Sequence, residues 1–491
     1  MSQYWILVAI LLPIIGGIAT ALLPFKKKKY MFLFVEIVMV ATSLIVWGVL
    51  AGGTTEVFHV VYFVHDLSIS FKIDGLSMVF AGLVSVLWPL ATLYAFEYME
   101  HHEHEKSFFM FYSIAYGVTL GIAFASDMLS MYFFYELLTL STVPLVMHTL
   151  KREAILATRK YLYYSLGGAA FALTGLVFLI VYGKDLEFVL GGILSSEVVG
   201  DKAPLLLWIY LFAFMGFGVK AAIWPLSAWL PQAGVAPTPV TALLHAVAVV
   251  KAGVFAITRL TYYSFGTEFL KGTWVQYVVM GLAMFTMVYG CSRALKETHI
   301  KRRLAYSTVS NLSYIIFGVT IMTPLGLVGA LCHLVCHAVM KICSFMCAGA
   351  FMHQTGKSYI HDMDGMGRQM PMVFGCFAIS GLGLMGVPGL AGFISKWNLA
   401  EAAVDSGNPL AYAGIACLLV SALLTAIYMM SIVMRAFFPR ADFNYAKISK
   451  VTDPGWKMKL PLAICVVGNL LLGLFSTPLV QFFVDIAAGK Y

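Results

Sequence analysis

Runs of about twenty apolar residues, separated by short polar punctuation, recur along nearly the whole 491-residue chain. A helix that crosses a bilayer needs about 20 mostly apolar residues, because the hydrocarbon layer is ~30 Å thick and a helix rises ~1.5 Å per residue. That pattern predicts fourteen spans, near residues 3–25, 30–51, 75–98, 107–125, 128–147, 158–182, 204–229, 238–260, 274–291, 304–322, 325–352, 371–397, 410–434 and 460–485. The connections are short. The two longest, 52–74 and 183–203, have room for a hairpin or an amphipathic segment and for nothing larger. The first apolar run, Tyr4 to Phe25, is longer than a signal-peptide core and carries its positive charge after the run, so it is expected to remain as a helix. The expected fold is an all-α polytopic membrane protein with about 14 transmembrane helices.

Composition agrees and excludes much else. The chain is 60% apolar and only 11% charged, where a wetted globular surface needs about 25% charged residues. A cytosolic enzyme, a nucleic-acid binder and a disordered scaffold are ruled out; the solvent is lipid. The basic residues sort by side. Of 32 Lys and Arg, 22 fall in the loops after spans 1, 3, 5, 9, 11 and 13, among them Lys26–Lys29, Lys151, Arg152 and Arg293 to Arg303. Five (Lys72, Lys184, Lys202, Arg259 and Lys271) are assigned to the opposite loops, and Lys490 to the tail. Basic loops mark the cytoplasmic side, which puts both termini outside, across a prokaryotic-type cytoplasmic membrane.

Four lysines remain, and each lies inside a span: Lys220, Lys251, Lys341 and Lys396. Glu136 is the matching acid, in the middle of span five. An ionisable group at the bilayer centre costs roughly 3 kcal/mol or more, so it faces a partner or a wet cavity. Lysine readily gives up its proton when desolvated, which lets a row of lysines act as a proton relay with water and histidine. Three histidines share these spans: His245 six residues before Lys251, and His333 and His337 eight and four residues before Lys341. The i, i+4 spacing places His337 and Lys341 on one helix face.

Two of these spans carry helix breakers. Span seven reads Gly218-Val-Lys220-Ala-Ala-Ile-Trp-Pro225, and span twelve reads Gly386-Val-Pro388-Gly-Leu-Ala-Gly392. Breaks at Pro225 and Pro388 free backbone carbonyls, which is tolerable at that depth only where protein or cavity water satisfies them. Interrupted helices in the two halves of a chain point to an inverted-repeat transporter and its ion path.

The run Trp224-Pro-Leu-Ser-Ala-Trp-Leu-Pro-Gln-Ala-Gly-Val-Ala-Pro-Thr-Pro-Val-Thr-Ala-Leu-Leu-His245, with Val250-Lys-Ala-Gly-Val-Phe255, closely resembles the antiporter-like subunits of respiratory complex I. The same family supplies large subunits of Mrp-type Na⁺/H⁺ antiporters and membrane arms of energy-converting hydrogenases. Asp74-Gly-Leu-Ser77, the segment from Asp127 to Glu136, Arg303-Leu-Ala-Tyr-Ser-Thr308, His337-Ala-Val-Met-Lys341 and Gly392-Phe-Ile-Ser-Lys396 agree with it, so the resemblance covers about residues 70–440. It implies two inverted five-helix repeats, 107–260 and 274–437, after an N-terminal group of three helices (1–106) and before a loop and last helix (438–491).

The resemblance also implies roles. Glu136 would pair with Lys220 and tune its proton affinity. His245 and Lys251 would link the first half-channel to a central axis, His337 and Lys341 would be central relay groups, and Lys396 would be terminal, with His333 and Asp127 as accessory candidates. Two positions depart from the pattern: Ser227 and Asn311 stand where the family often has histidine. The chain stops six residues after the last expected span, which matches the length of a mid-sized Mrp-type subunit.

Rival sites are weaker. Cys332, Cys336, Cys343 and Cys347 follow a 4-7-4 spacing, but about 22 Å of helix separates the first from the last, too long for one tetrahedral metal site with ~2.3 Å bonds. Small packing residues on a helix seam are expected there. Glu36 is expected to pair with Lys26–Lys29, and the loop His101-His-Glu-His-Glu105 to be a wet turn. No phosphate loop or iron–sulfur spacing occurs. No metal and no cofactor is expected in this chain, and redox chemistry is expected only in partner subunits. The function expected is movement of H⁺, coupled either to Na⁺ exchange or to electron transfer in soluble iron–sulfur or hydrogenase partners. The alternatives are a self-contained solute transporter and an inorganic-carbon uptake subunit of the same superfamily.

Overall fold

A computed structural model of the chain describes residues 3–53, 56–64, 67–440, 443 and 451–491. Among these residues thirteen helices are long and apolar enough to cross a membrane, and a two-part segment, Pro371–Met385 with Ala391–Asp405, supplies a fourteenth passage. The chain is a predominantly helical multi-pass membrane protein.

The first two helices, α1 (Tyr4–Leu22) and α2 (Lys28–Gly52), lead to a hairpin in the first long connection. Its strands β1 (Phe58–Val64) and β2 (Leu67–Phe71) pair antiparallel with Phe58 opposite Phe71. Helices α3 (Gly75–Tyr98), α4 (Glu105–Phe124), α5 (Met128–Val146) and α6 (Arg152–Tyr182) follow. Two of them start at an aspartate whose side chain takes an orphan amide. Asp74 accepts from Ser77 N at 2.9 Å, and Asp127 accepts from Ser130 N at 2.7 Å.

Span seven is α7 (Ser196–Lys220), a break, and the short α8 (Trp229–Ala233). Span eight is α9 (Thr238–Ala246) and α10 (Val249–Thr258), continued by a π-helical turn, Arg259–Phe265. After the short α11 (Thr267–Leu270) come α12 (Trp274–Lys296), α13 (Ile300–Ile321) and the 32-residue α14 (Pro324–Thr355). The broken span is α15 (Pro371–Met385) and α16 (Ala391–Asp405), and α17 (Pro409–Phe437), α18 (Trp456–Leu474) and α19 (Thr477–Ala487) close the chain.

The helices sort into an inner set and an outer one. Span eight, α13 and α14 are almost wholly enclosed, whereas α1, α2, α6, α17 and α18 bury well under half of their apolar stretch and turn the rest outward. The long α14 is the hub, touching α9, α13, α15, α16 and α18. Lys220, Lys251, Lys341 and Lys396 all sit on the inner set or at a break beside it.

The structure corrects several expectations. Span fourteen is not one helix over 460–485: α18 ends at Leu474, Pro478 opens a new helix, and the 11-residue α19 is too short to cross. The 183–203 connection is a bridged loop, Gly183 pairing with Leu194 and Asp127 with Glu187, before α7 begins at Ser196. Arg259 is no loop cation. It is buried in the π-turn and clasps Asp74, Nη2 to Oδ1 at 2.8 Å, inside a cage of Phe188, Phe255 and Tyr263 rings. Lys301 and Arg303 are also buried. Lys301 Nζ donates to Ala236 O at 2.8 Å and Arg303 Nη1 to Tyr428 O at 3.0 Å, so both tie helix ends together. Glu36 does not pair with the Lys26–Lys29 cluster; Lys28 pairs with Glu105 instead. Lys447 and Lys450, two of the basic residues after span thirteen, lie outside the described residues, as does part of the 438–491 segment.

Candidate functional site

The first break is built so that Lys220 ends its helix inside the protein. Ala222 takes a left-handed conformation at φ 55°, and the carbonyl of Val219 accepts from both Ala222 N at 3.1 Å and the indole of Trp229 at 2.7 Å. Gly253 of α10 packs against the break so closely that a Cβ there would lie 2.4 Å from Ala221 N. Lys220 is 1% exposed; its Nζ donates to Tyr135 O and lies 3.4 Å from the centre of the Tyr135 ring. Glu136 Oε1 is 3.8 Å away, an ion-pair distance rather than a hydrogen bond, and that oxygen has no hydrogen-bond partner.

Span eight is broken as well, which no glycine or proline signals. Helix α9 stops at Ala246; Val247 (φ −127°, ψ −49°) and Ala248 (φ −96°, ψ −86°) leave helical geometry, and α10 restarts at Val249. His245 closes the first half and Lys251 opens the second. Both ring nitrogens of the fully buried His245 lack a protein partner, and its ring lies 4.9 Å from Phe345. A buried imidazole in that state calls for water.

Helix α14 presents His333, His337 and Lys341 one turn apart. Lys251 Nζ meets His337 Nδ1 at 3.0 Å, and Lys341 Nζ donates to Ser307 Oγ at 2.6 Å. His333 Nδ1 lies 2.9 Å from Ser395 Oγ, and its ring stacks on Tyr314 at 4.9 Å. From Ser307 a line of hydroxyls continues into α17: Tyr428 OH at 2.7 Å, then Thr425 Oγ1 at 3.1 Å. Sequence reasoning passed over this line, although Ser307 lies within the Arg303–Thr308 run.

The second break mirrors the chemistry of the first. Gly386 (φ 94°) ends α15 and Gly389 (φ 86°) turns the chain into α16. Lys396 Nζ donates to the freed carbonyls of Leu384 at 2.8 Å and Met385 at 2.9 Å, while Asn469 of α18 accepts from Ala391 N and donates to Ile379 O. Side chains thus answer backbone groups that this break exposes, as hydrocarbon surroundings demand. Pro388 lies in the connection, as Pro225 does in the first.

The structure therefore gathers these groups without bonding them all together: Lys251 meets His337, Lys341 bonds Ser307, His333 meets Ser395 next to Lys396, the rings of His333 and His337 lie 5.9 Å apart, and His245 has no bond to any of them. The Glu136–Lys220 pair stands beside this group: among the described residues no side-chain bond links the two, and Gly253, two residues from Lys251, is the backbone contact between them. Asp127 is elsewhere. It caps α5 beside a cavity of about 480 Å³ lined by His59, Ser70, Lys184 and Glu187, and accepts from Ser70, Ser126 and Ser130 hydroxyls. Burial pushes its carboxyl above the usual range, and those hydroxyl bonds draw it only partly back. The four thiols of α14 are buried packing groups; Cys343 faces Leu462 O of α18. In the histidine-rich loop, His102 stacks on Tyr98 at 5.5 Å.

A multi-pass bundle with three discontinuous spans, and with Lys220, Lys251 and Lys396 at or just beyond the gaps, has the fold of antiporter-like membrane subunits. The chain matches the family described as NADH:quinone oxidoreductase/Mrp antiporter, transmembrane, over residues 125–431, and complex I chain 5 N-terminus over residues 63–109. It belongs to that family, the superfamily shared by respiratory complex I and Mrp antiporters.

Among its relatives is NADH-quinone oxidoreductase subunit N of Desulforudis audaxviator, 29% identical over 432 residues, covering 85% of this chain and 84% of that one. A probable K⁺/H⁺ antiporter protein of Rhizobium meliloti is 28% identical across 98% of this chain, which spans 48% of that relative. A Na⁺/H⁺ antiporter protein of Staphylococcus haemolyticus is 27% identical across 97% of this chain, which spans 62% of it. The chain thus spans half to two-thirds of these two antiporter proteins. The fold matches a subunit of the archaeal membrane-bound sulfane sulfur reductase (TM-score 0.87, 22% identity, 99% and 97% of the two chains). It matches a chain of the Mrp complex from Dietzia sp. comparably (TM-score 0.83, 21% identity, 100% and 98%).

Proposed function

We propose that this chain is the proton-conducting, antiporter-like subunit of a larger membrane complex, with no cofactor of its own. The observation that carries this reading is the Lys251–His337 contact at 3.0 Å, set among the buried basic groups His245, His333 and Lys341. A Lys Nζ and an imidazole Nδ1 at that distance share one hydrogen, so one donates while the other accepts. The contact therefore offers a route for a proton between Lys251 and His337, with Lys341 and His333 the next buried basic groups on α14.

The drive would be electrostatic. A change of charge near Glu136 alters its hold on Lys220, whose proton affinity then changes, and the strip Lys251, His337, Lys341, Lys396 passes the proton on. Two five-helix units, 107–260 and 274–437, would each supply half of the path, and 1–106 and 438–491 would brace them. His245 would bridge the halves. The energy source would be Na⁺ or K⁺ exchange, as in the names of two relatives, or electron transfer in partner subunits, as in the name of another. The basic loops that remain after Lys301 and Arg303 are set aside support termini on the outer face of a prokaryotic-type cytoplasmic membrane.

The test uses the native complex reconstituted in liposomes with an entrapped pH dye. Lys220→Met and Glu136→Gln should each lower coupled proton movement at least tenfold with normal assembly; wild-type movement in both would overturn the proposal. Mass spectrometry of the co-purifying chains then separates the two energy sources. Small multi-pass chains alone favour ion exchange, and iron–sulfur or nickel–iron chains favour a redox pump.

A further inference from the structure

Lys341 is fully buried, and its ammonium has one hydrogen-bond acceptor among the described residues, Ser307 Oγ of α13 at 2.6 Å. The titratable groups that face it come from several elements. His245 of α9 lies against Phe345, one turn further along α14, and Lys251 of α10 meets His337, one turn back. Cys291 of α12 faces it from beyond Ser307. Two other neighbours of α14 turn elsewhere: Lys396 of α16 donates to the carbonyls of its own break, and Tyr94 of α3 to Met346 O. None of the facing groups is a carboxylate, so a hydroxyl oxygen is what meets the Lys341 charge.

That hydroxyl belongs to a buried line whose direction is fixed. Thr425 Oγ1 donates to Ser421 O, one turn back on α17, at 2.8 Å, which commits its single hydrogen. It can then only accept from Tyr428 OH, 3.1 Å away. Tyr428 thereby commits its own hydrogen and must accept from Ser307 Oγ at 2.7 Å, so Ser307 has only lone pairs left for Lys341. Turning the Ser307 hydrogen toward Lys341 would leave two oxygens 2.7 Å apart with no hydrogen between them. The line leads nowhere further. It ends on a backbone carbonyl, which accepts a hydrogen bond and hands no proton on. The other neighbour of Thr425 is Cys291 Sγ at 3.5 Å, bonded to the Ser310 and Ser421 hydroxyls at 3.0 and 3.1 Å, and Ser310 in turn donates to Met287 O at 2.7 Å. Whichever of the two takes the Thr425 hydrogen, none is left for Tyr428.

We propose that Tyr428 is a positioning residue for proton transfer at Lys341: through Ser307 it keeps a lone pair on the ammonium, which sets the pH at which Lys341 releases its proton and closes the α17 side to that proton. The inference rests on the proton-conducting reading given above. Hydrogen bonds in a chain polarise one another, so the Ser307 oxygen is a stronger acceptor with Tyr428 and Thr425 behind it than alone. A charged donor gains most from such an acceptor, so the line favours the protonated lysine. Because the line can take up no proton, Lys341 exchanges with the groups of α9, α10 and its own helix.

The experiment is proton flux through the native complex in liposomes, followed across pH. Tyr428→Phe keeps the ring and removes the hydroxyl. It should move the alkaline midpoint of the profile about one unit to lower pH, a roughly tenfold loss of proton affinity, with normal assembly. Thr425→Val frees the Tyr428 hydrogen and should move the midpoint the same way by less. Tyr210→Phe removes an equally buried hydroxyl, bonded to Thr261 at 2.9 Å, and should leave the midpoint in place. An unmoved midpoint in Tyr428→Phe, at whatever rate, would overturn the proposal, because a purely structural tyrosine changes amount or rate alone. A move to higher pH, or an equal move in Tyr210→Phe, would overturn it as well. If Tyr428→Phe does not assemble, Thr425→Val decides by the same criterion. An unmoved midpoint beside a failing Lys220→Met leaves the proton-conducting reading standing, whereas wild-type flux in both Lys220→Met and Glu136→Gln removes that reading and this role with it.

Discussion

Lys251 and His337 come from different helices and meet at 3.0 Å in the centre of the protein, each the other's nearest polar partner. The contact exists because span eight breaks between His245 and Lys251, which aims Lys251 across at α14. Lys251→Met and His337→Leu should each reduce proton movement by about 10²-fold, and the double variant should be little worse than either single one, since both remove one shared step. Dye-detected proton flux in liposomes checks this; additive losses would mean that the two act separately.

The Asp74–Arg259 clasp joins the start of α3 to the end of span eight. Removing one partner strands a buried charge, so Asp74→Asn or Arg259→Met should destabilise the protein by about 3–5 kcal/mol, with part of the loss recovered in the double variant. Thermal unfolding in detergent measures it.

The same clasp sets a pH dependence. Burial alone would raise the Asp74 carboxyl, but the Arg259 charge and hydrogen bond, helped by the Ser77 amide and Lys72, hold it below the usual carboxylate range. A carboxyl with depressed folded-state proton affinity contributes stability that is fully present above its unfolded value, near 4, and is lost as pH falls through the folded one. The melting temperature should therefore lose this contribution only below about pH 4, and the Asp74→Asn protein should show a shallower acid limb.

Gly253 has no side chain because the break after Lys220 lies against it: a Cβ would sit 2.7 Å from Lys220 C. Gly253→Ala must push the break outward and should impair proton movement without touching an ionisable group. Gly281→Ala, where a Cβ meets nothing within 4 Å, should leave flux unchanged. Equal flux in the two variants would disprove the packing role.

Asp127 caps α5 and stands away from the lysine strip. Asn caps a helix as well as Asp does, so Asp127→Asn should keep wild-type flux, whereas Asp127→Ala should cost about 1 kcal/mol of stability. Loss of flux in Asp127→Asn with intact stability would give it a role in conduction instead.

Much of this was legible in the sequence because lipid makes two signals strong. Apolar runs locate the spans, and a charge inside a run is too expensive to be incidental, which singled out Glu136 and the four lysines. The breaks at Lys220 and before Lys396 showed as proline and glycine. The break after His245 did not, because Val247 and Ala248 are ordinary helix residues held out of helical geometry by their surroundings. Arg259 and Lys301 were misplaced for a related reason. Counting basic residues by loop assumes that charges near span ends are wet, whereas Arg259 folds back onto Asp74 and Lys301 onto Ala236 O.

One asymmetry in the first pair has a wider consequence. Lys220 is sealed at 1% exposure, while the Glu136 side chain keeps 22% of its surface at the flank of the bundle. Only the acid is within reach of a neighbour. Whatever lies against α5 in the assembled complex, a cation or an acyl chain, sets how strongly Glu136 holds its charge, and Lys220 registers that choice without ever being touched. On the proposed proton-conducting reading the carboxylate would be the handle and the lysine the latch, so news of an event next door would arrive here as a change of field before any helix has to move.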